Sequence, residues 1–115
     1  MSQPTVRDMV RAIQKQLRDG AITPDMARES LVQLTSLYGN VLDELREAEA
    51  AYKIVLLGHL SMEAKANRAR MHAEASPEYG RWRAVKDTER LVIEMIRSSK
   101  TYLRSLEEEM RLSGR

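Results

Sequence analysis

The sequence predicts an all-α protein: a helical bundle base carrying a long antiparallel, coiled-coil-like helical hairpin as an arm. Three observations point there. The 115 residues are 31% charged, with no phenylalanine, no cysteine, five glycines and three prolines, a balance that suits long helices. Apolar residues recur at helical spacing through most of the chain. Helix-start residues, namely Thr5, Thr23, Asn40 and Ser76, each precede one of these apolar stripes. The length suits a single domain, 1–115, divided into an N-terminal helical pair (1–39) and two long hairpin helices (40–75 and 77–112).

The first helix opens at Thr5, an N-cap with Asp8 three residues on. Val6, Met9, Val10, Ile13 and Leu17 form its apolar stripe, with Arg7, Arg11, Lys15 and Arg18 opposite, and Gly20 ends it. The second helix starts with Thr23 as cap, Pro24 at the first position and Asp25 near the positive end of the dipole. Ala27, Leu31, Leu34 and Tyr38 keep its period, and Gly39 is expected to stop it. Asn40 then caps the third helix.

From Val41 the pattern is a heptad. Val41, Leu45, Ala48, Tyr52, Val55, His59, Met62, Ala66, Ala69 and Ala73 alternate steps of four and three. Ser76 and Pro77 mark a break and restart, which places the hairpin turn there. Trp82, Val85, Glu89, Val92, Ile96, Ser99, Leu103, Leu106 and Met110 continue the seam on the last helix. The hairpin is expected to be on the order of 50 Å long. Its alanine-rich half buries little area and should be thin, and Gly58 is expected to mark a close crossing or a bend.

Charge is high but nearly balanced, at net +2. Arg83, Arg90, Arg97, Arg104 and Arg111 recur every seven residues along the last helix. They form either a solvated flank paired with Asp87, Glu94 and Glu107 or a track for phosphates. Around the expected tip lie Lys65, Arg68, Arg70, Arg81, Arg83, Lys86 and Arg90, together with Tyr79 and Trp82. The run "EYGRWR" (78–83) fits two roles. Trp82 caps the alanine-thin end of the seam, or Tyr79 and Trp82 stack on bases while arginines hold phosphates. Glu107, Glu108 and Glu109 are expected to neutralise Arg7, Arg11 and Lys15, if those cations do not contact phosphate. Leu91, Met95, Tyr102 and Leu112 widen the apolar face of the last helix and are the expected interface of a homo-oligomer, a dimer first.

Nothing in the sequence assembles a catalytic constellation. His59 and Glu63 stand at i, i+4 but signal no third metal ligand. Ser98, Ser99 and Ser105 have no nearby histidine, and no glycine-rich phosphate loop occurs. The expectation is no enzyme, no catalytic residue, no metal, no cofactor and no small-molecule substrate. No stretch resembles a signal peptide, and "IVLLGHL" falls far short of the roughly 18 apolar residues of a membrane span. Together with the lack of cysteine this fits a reducing cytoplasm, here that of a bacterial host cell.

Four stretches bring a known class to mind: Tyr52-Lys53, "MEAKANRARMHAEAS", "WRAVKDTERL" and "SSKTYLRSLEEEMR". Over residues 51–115 the chain resembles small all-helical accessory proteins of bacteriophages and prophages, encoded near DNA-recombination functions. The resemblance rests on helical sequence of low specificity and excludes the first 50 residues, whose "GAITPDMA" departs from that pattern. It implies an accessory role, helping or targeting DNA-processing machinery without an active site. The expected partner is nucleic acid or a nucleic-acid-processing protein, engaged through the basic, aromatic tip. The rivals are a protein-binding inhibitor of a host defence nuclease and a helical assembly scaffold or chaperone.

Overall fold

A computed structural model describes residues 5–20 and 23–114. The side chains of Val6 and Leu17, expected in the first stripe, lie outside the described residues. Among those described the chain is all-α, with four helices and no strand: α1 Val6–Asp19, α2 Pro24–Met62, α3 Ala66–Glu74 and α4 Pro77–Ser113.

Three of the four starts are capped as the sequence predicts. The Asp8 N–H donates to Thr5 Oγ1 and the Thr5 N–H donates to Asp8 Oδ2, each at 3.1 Å, which closes a capping box on α1. That second bond, ahead of the first, holds the Asp8 carboxyl below its ordinary value. The Met26 N–H donates to Thr23 Oγ1 at 3.2 Å at the start of α2, and the Tyr79 N–H to Ser76 Oγ at 3.2 Å at the start of α4. Gly20 ends α1 at φ 69°, the left-handed conformation that glycine adopts without strain.

Two boundaries differ from expectation. Gly39 and Asn40 do not separate helices; both lie inside α2, which runs for 39 residues. Leu34, Leu37 and Val41 are buried along one stripe of that helix. Burying one aliphatic side chain contributes about 1.5–3 kcal/mol, whereas a helical glycine costs about 1 kcal/mol against alanine. Burial wins, and the helix continues.

The second difference moves the hairpin turn. The third helix was expected to reach residue 75, but α2 ends at Met62 and the chain reverses through 63–65. Ser76 and Pro77 start α4 without being the turn. Gly58 and Ser61, whose hydroxyl donates to the Gly58 carbonyl at 2.8 Å, weaken the last turn of α2. Gly58 is not a close crossing, since an added Cβ there would meet nothing within 4 Å. Met62, expected on the seam, is 87% exposed, and the seam on α4 gives out before Met110, which is 60% exposed.

The chain forms two compact units. The first holds residues 1–39 and 90–115, a bundle of α1, the first part of α2 and the last part of α4. Its core contains Val10, Ile13, Ala27, Leu34, Leu37, Val92 and Met95, with Ser30 and Ser99 buried among them. The sequence pointed to four helices here, but the merger of the second and third leaves three. Arg28 bridges Glu107 at 2.9 Å and Asp25 at 3.0 Å, which fixes α4 antiparallel to α2. Glu107 therefore serves Arg28, not the expected Arg7, Arg11 or Lys15. Glu108 lies 3.8 Å from Arg111 of its own helix.

The second unit, residues 40–89, is an antiparallel helical hairpin. Down its length Glu63 meets His72, His59 stacks on His72, Tyr52 meets Tyr79 and Trp82, and Glu47 meets Arg81. The α2 numbers fall while their partners' numbers rise, so α3 and then α4 form the returning limb. Val41, Ala48, Tyr52, Ala69 and Ala73 are its buried apolar residues. Three of those five are alanines, so this unit buries little area for its length.

Candidate functional site

The moved turn decides where the expected site residues fall. Lys65 caps α3 at the turn itself, and Arg68 and Arg70 lie on α3, all three exposed. Tyr79, Arg81, Trp82 and Arg83 lie on α4 beyond α3 and the 75–76 break, so they flank the hairpin and do not form its tip.

Tyr79 and Trp82 are engaged within the chain. The Trp82 indole stacks on the Tyr52 ring, centroids 4.9 Å apart and planes 14° apart. Tyr79 meets Tyr52 at 5.2 Å and the edge of Trp82 at 6.0 Å, and Lys86 Nζ stands over the indole at 4.7 Å. Trp82 is half-buried and Tyr52 is only 8% exposed. Burial, then the carboxylate of Glu74, raises the Tyr52 hydroxyl above its ordinary value. A base stacking on Trp82 would compete with these contacts. Of the two roles open to "EYGRWR", the seam-capping one matches this geometry.

The cations do not converge. Arg68 and Arg70 are two residues apart on one helix, so they project from nearly opposite flanks. Arg81 leans to Glu47 at 3.7 Å, and Arg83, two residues on, diverges from it. Arg90 belongs to the first unit. The arginines Arg83, Arg90, Arg97, Arg104 and Arg111 are all exposed along α4. Even so, the stretch from Lys65 to Lys86 carries six cations against two carboxylates, Glu74 and Glu78.

The turn gathers one cluster that sequence spacing did not reveal. His59 and His72 stack with centroids 5.7 Å apart, and His72 Nε2 lies 3.4 Å from Glu63 Oε1. Glu63 and His59 were visible at i, i+4, but His72 arrives only through the reversal. Among the described residues no three such side chains are placed to hold a metal ion.

In the first unit an apolar groove of about 420 Å³ opens between α1 and α2. Met9, Ala12, Ile13, Val32 and Leu37 line it with Gln16, Gln33 and Ser36. The α4 residues expected at an oligomer interface are divided. Met95 is 6% exposed and belongs to the core, Leu91 and Tyr102 are half-buried, and Leu112 is 62% exposed. Met95 is therefore withdrawn from that face, packed inside the three-helix bundle.

No protein-family model matches the chain, and neither does any curated protein or solved structure with which it was compared. The functional case rests on side chains and their surroundings. No helix among the described residues is long and apolar enough to cross a membrane.

Proposed function

We propose that this chain is a non-enzymatic accessory protein that binds nucleic acid through phosphate contacts made by the hairpin's basic residues. One observation supports this most: between Lys65 and Lys86 cations outnumber carboxylates six to two, and Lys65, Arg68, Arg70, Arg81 and Arg83 are exposed. With Tyr79 and Trp82 held against Tyr52, the contact is to the backbone and not to stacked bases. Divergent guanidinium groups suit a partner that offers charge on several sides, and they give little sequence preference. The accessory role is also what the resemblance of residues 51–115 implies.

Fluorescence anisotropy of labelled single- and double-stranded DNA tests this. Binding should be clear at low salt, fall steeply as salt rises, and weaken at least several-fold in the Arg81→Ala/Arg83→Ala variant. Absence of binding at low salt would end the proposal.

A second reading, a protein-binding inhibitor or adaptor, is favoured by the groove between α1 and α2, whose aliphatic walls suit an apolar side chain of a partner. It predicts tight capture of one protein with modest salt dependence.

A further inference from the structure

Within the hairpin unit α2 carries two heptad seams. The first, through Val41, Ala48, Tyr52 and His59, faces the returning limb. The second is displaced by two residues and runs Asp43, Glu47, Ala50, Ile54, Leu57 and Ser61, again alternating four and three. All six are exposed, Ile54 at 71% and Leu57 at 65%. Leu60 and Met62, on its flanks, are 39% and 87% exposed. A charged flank would need no explanation here. An aliphatic heptad seam turned to solvent does.

Charge along this seam is ordered. Asp43 and Glu47 stand at its start, its middle from Ala50 to Ser61 is uncharged, and Lys65 follows just past the helix end, with Arg68 on α3 beyond it. A parallel copy would set acids on acids and bases on bases. An antiparallel copy sets the acidic start of each seam against the basic end of the other, twice, by two-fold symmetry. In that register Ile54 of one copy meets Gly58 of the other, Ala50 meets Met62, and Glu47 meets Lys65. Gly58 and Ala50 are small enough to let the helices approach, and Gly58 has open space in its own chain. Glu47 is 75% exposed and only 3.7 Å from Arg81, so it is free to turn to a nearer cation.

We propose that the outer face of α2, centred on Ile54 and Leu57, is the surface by which two copies of this chain associate, antiparallel about a two-fold axis. It takes the place of the α4 face on which the sequence led us to expect a dimer, and it rests on nothing in the nucleic-acid proposal. A contact of this length lies at the small end of specific interfaces, on the order of 1,200 Å² in total. The dimer is therefore reversible, with a Kd in roughly the micromolar range.

Sedimentation equilibrium of the full chain at low salt tests it, from low micromolar concentration to about 1 mM, where association worth measuring ends. Wild type should show a monomer–dimer equilibrium. Leu57→Asp, at an exposed position, should keep its helical circular dichroism and remain monomeric. Lys65→Glu should weaken the dimer about tenfold, and adding Glu47→Lys should restore it, because the swap re-pairs the two ends. A wild type that stays monomeric throughout would overturn the proposal. So would a Leu57→Asp variant that dimerises like wild type, or a double variant no tighter than Lys65→Glu alone.

Discussion

The indole of Trp82 lies almost parallel to the phenol ring of Tyr52, 14° from coplanar, with the two centroids 4.9 Å apart. The pair joins α2 to α4 where the hairpin's other buried positions are mostly alanine. An aromatic pair adds about 0.5–1.5 kcal/mol beyond the area it buries, so in a thin hairpin this contact outweighs any other single one. Trp82→Ala is expected to destabilise the chain by about 2–3 kcal/mol, the low side of aromatic truncations because the ring is half-buried. Arg83→Ala, on the exposed flank, should stay within about 0.5 kcal/mol of wild type. Urea denaturation followed by circular dichroism measures both. Equal midpoints for the two variants would deny the stack its structural role.

Tyr52 adds a pH signature. Its hydroxyl is raised above the ordinary 10.0 by burial first and by Glu74 second. A folded value above the unfolded one means the folded chain keeps the proton longer. The stabilisation is then fully present below the unfolded value and is lost as pH rises through the folded one. Tyr52→Phe keeps the ring and removes the proton, so its thermal stability should decline less than that of wild type above about pH 10. Parallel curves for the two proteins through that range would contradict the burial argument.

Gly39 provides a test of the continuous α2. It is exposed within the helix, and an added Cβ there would meet nothing within 4 Å. Gly39→Ala should therefore stabilise by about 0.5–1 kcal/mol. Gly20→Ala should destabilise, because Gly20 sits at φ 69°. If Gly39→Ala lowered the melting temperature, two helices meeting at that glycine would be the better description.

What the sequence disclosed and what it hid have one physical root. Local signals were legible: the Thr5–Asp8 box, the Thr23 and Ser76 caps, and the heptad phase that buries Val41, Ala48, Tyr52, Val92 and Ser99. Both misplaced boundaries depend on contacts distant in sequence. Gly39 looks like a stop until Leu37 and Val41 are known to be buried on the same helix. The turn at 63–65 carries no glycine or proline, and nothing local distinguishes it from the Ser76–Pro77 break. Placing the turn at Pro77 put Tyr79 and Trp82 at a tip, free to stack. The actual reversal gives Trp82 to Tyr52 and His72 to His59 and Glu63. The exposed Ile54 and Leu57 were hidden for the same reason, since an apolar helix shows its unpartnered side only once its partnered side is known.

Ser99 is 1% exposed, and its hydroxyl has no hydrogen-bond partner within the bundle. An unsatisfied buried hydroxyl costs about 1–3 kcal/mol, and removing it relieves that cost while leaving a methyl in place. Ser99→Ala is expected to be neutral or to stabilise by up to about 1 kcal/mol, whereas Ser99→Leu should overpack and destabilise by about 1–3 kcal/mol. A clear loss of stability in Ser99→Ala, read from thermal melts, would mean the hydroxyl has a partner after all.

Trp82 is the only tryptophan in the chain, so its emission reports on this site alone. Titrating single-stranded DNA at low salt while recording both DNA anisotropy and Trp82 emission separates phosphate contact from base stacking. If the arginines bind the backbone while Tyr52 keeps the indole, anisotropy rises and Trp82 emission holds constant. Quenching of Trp82 that follows the binding curve would show bases displacing Tyr52 from the ring, and the site would then be an aromatic one.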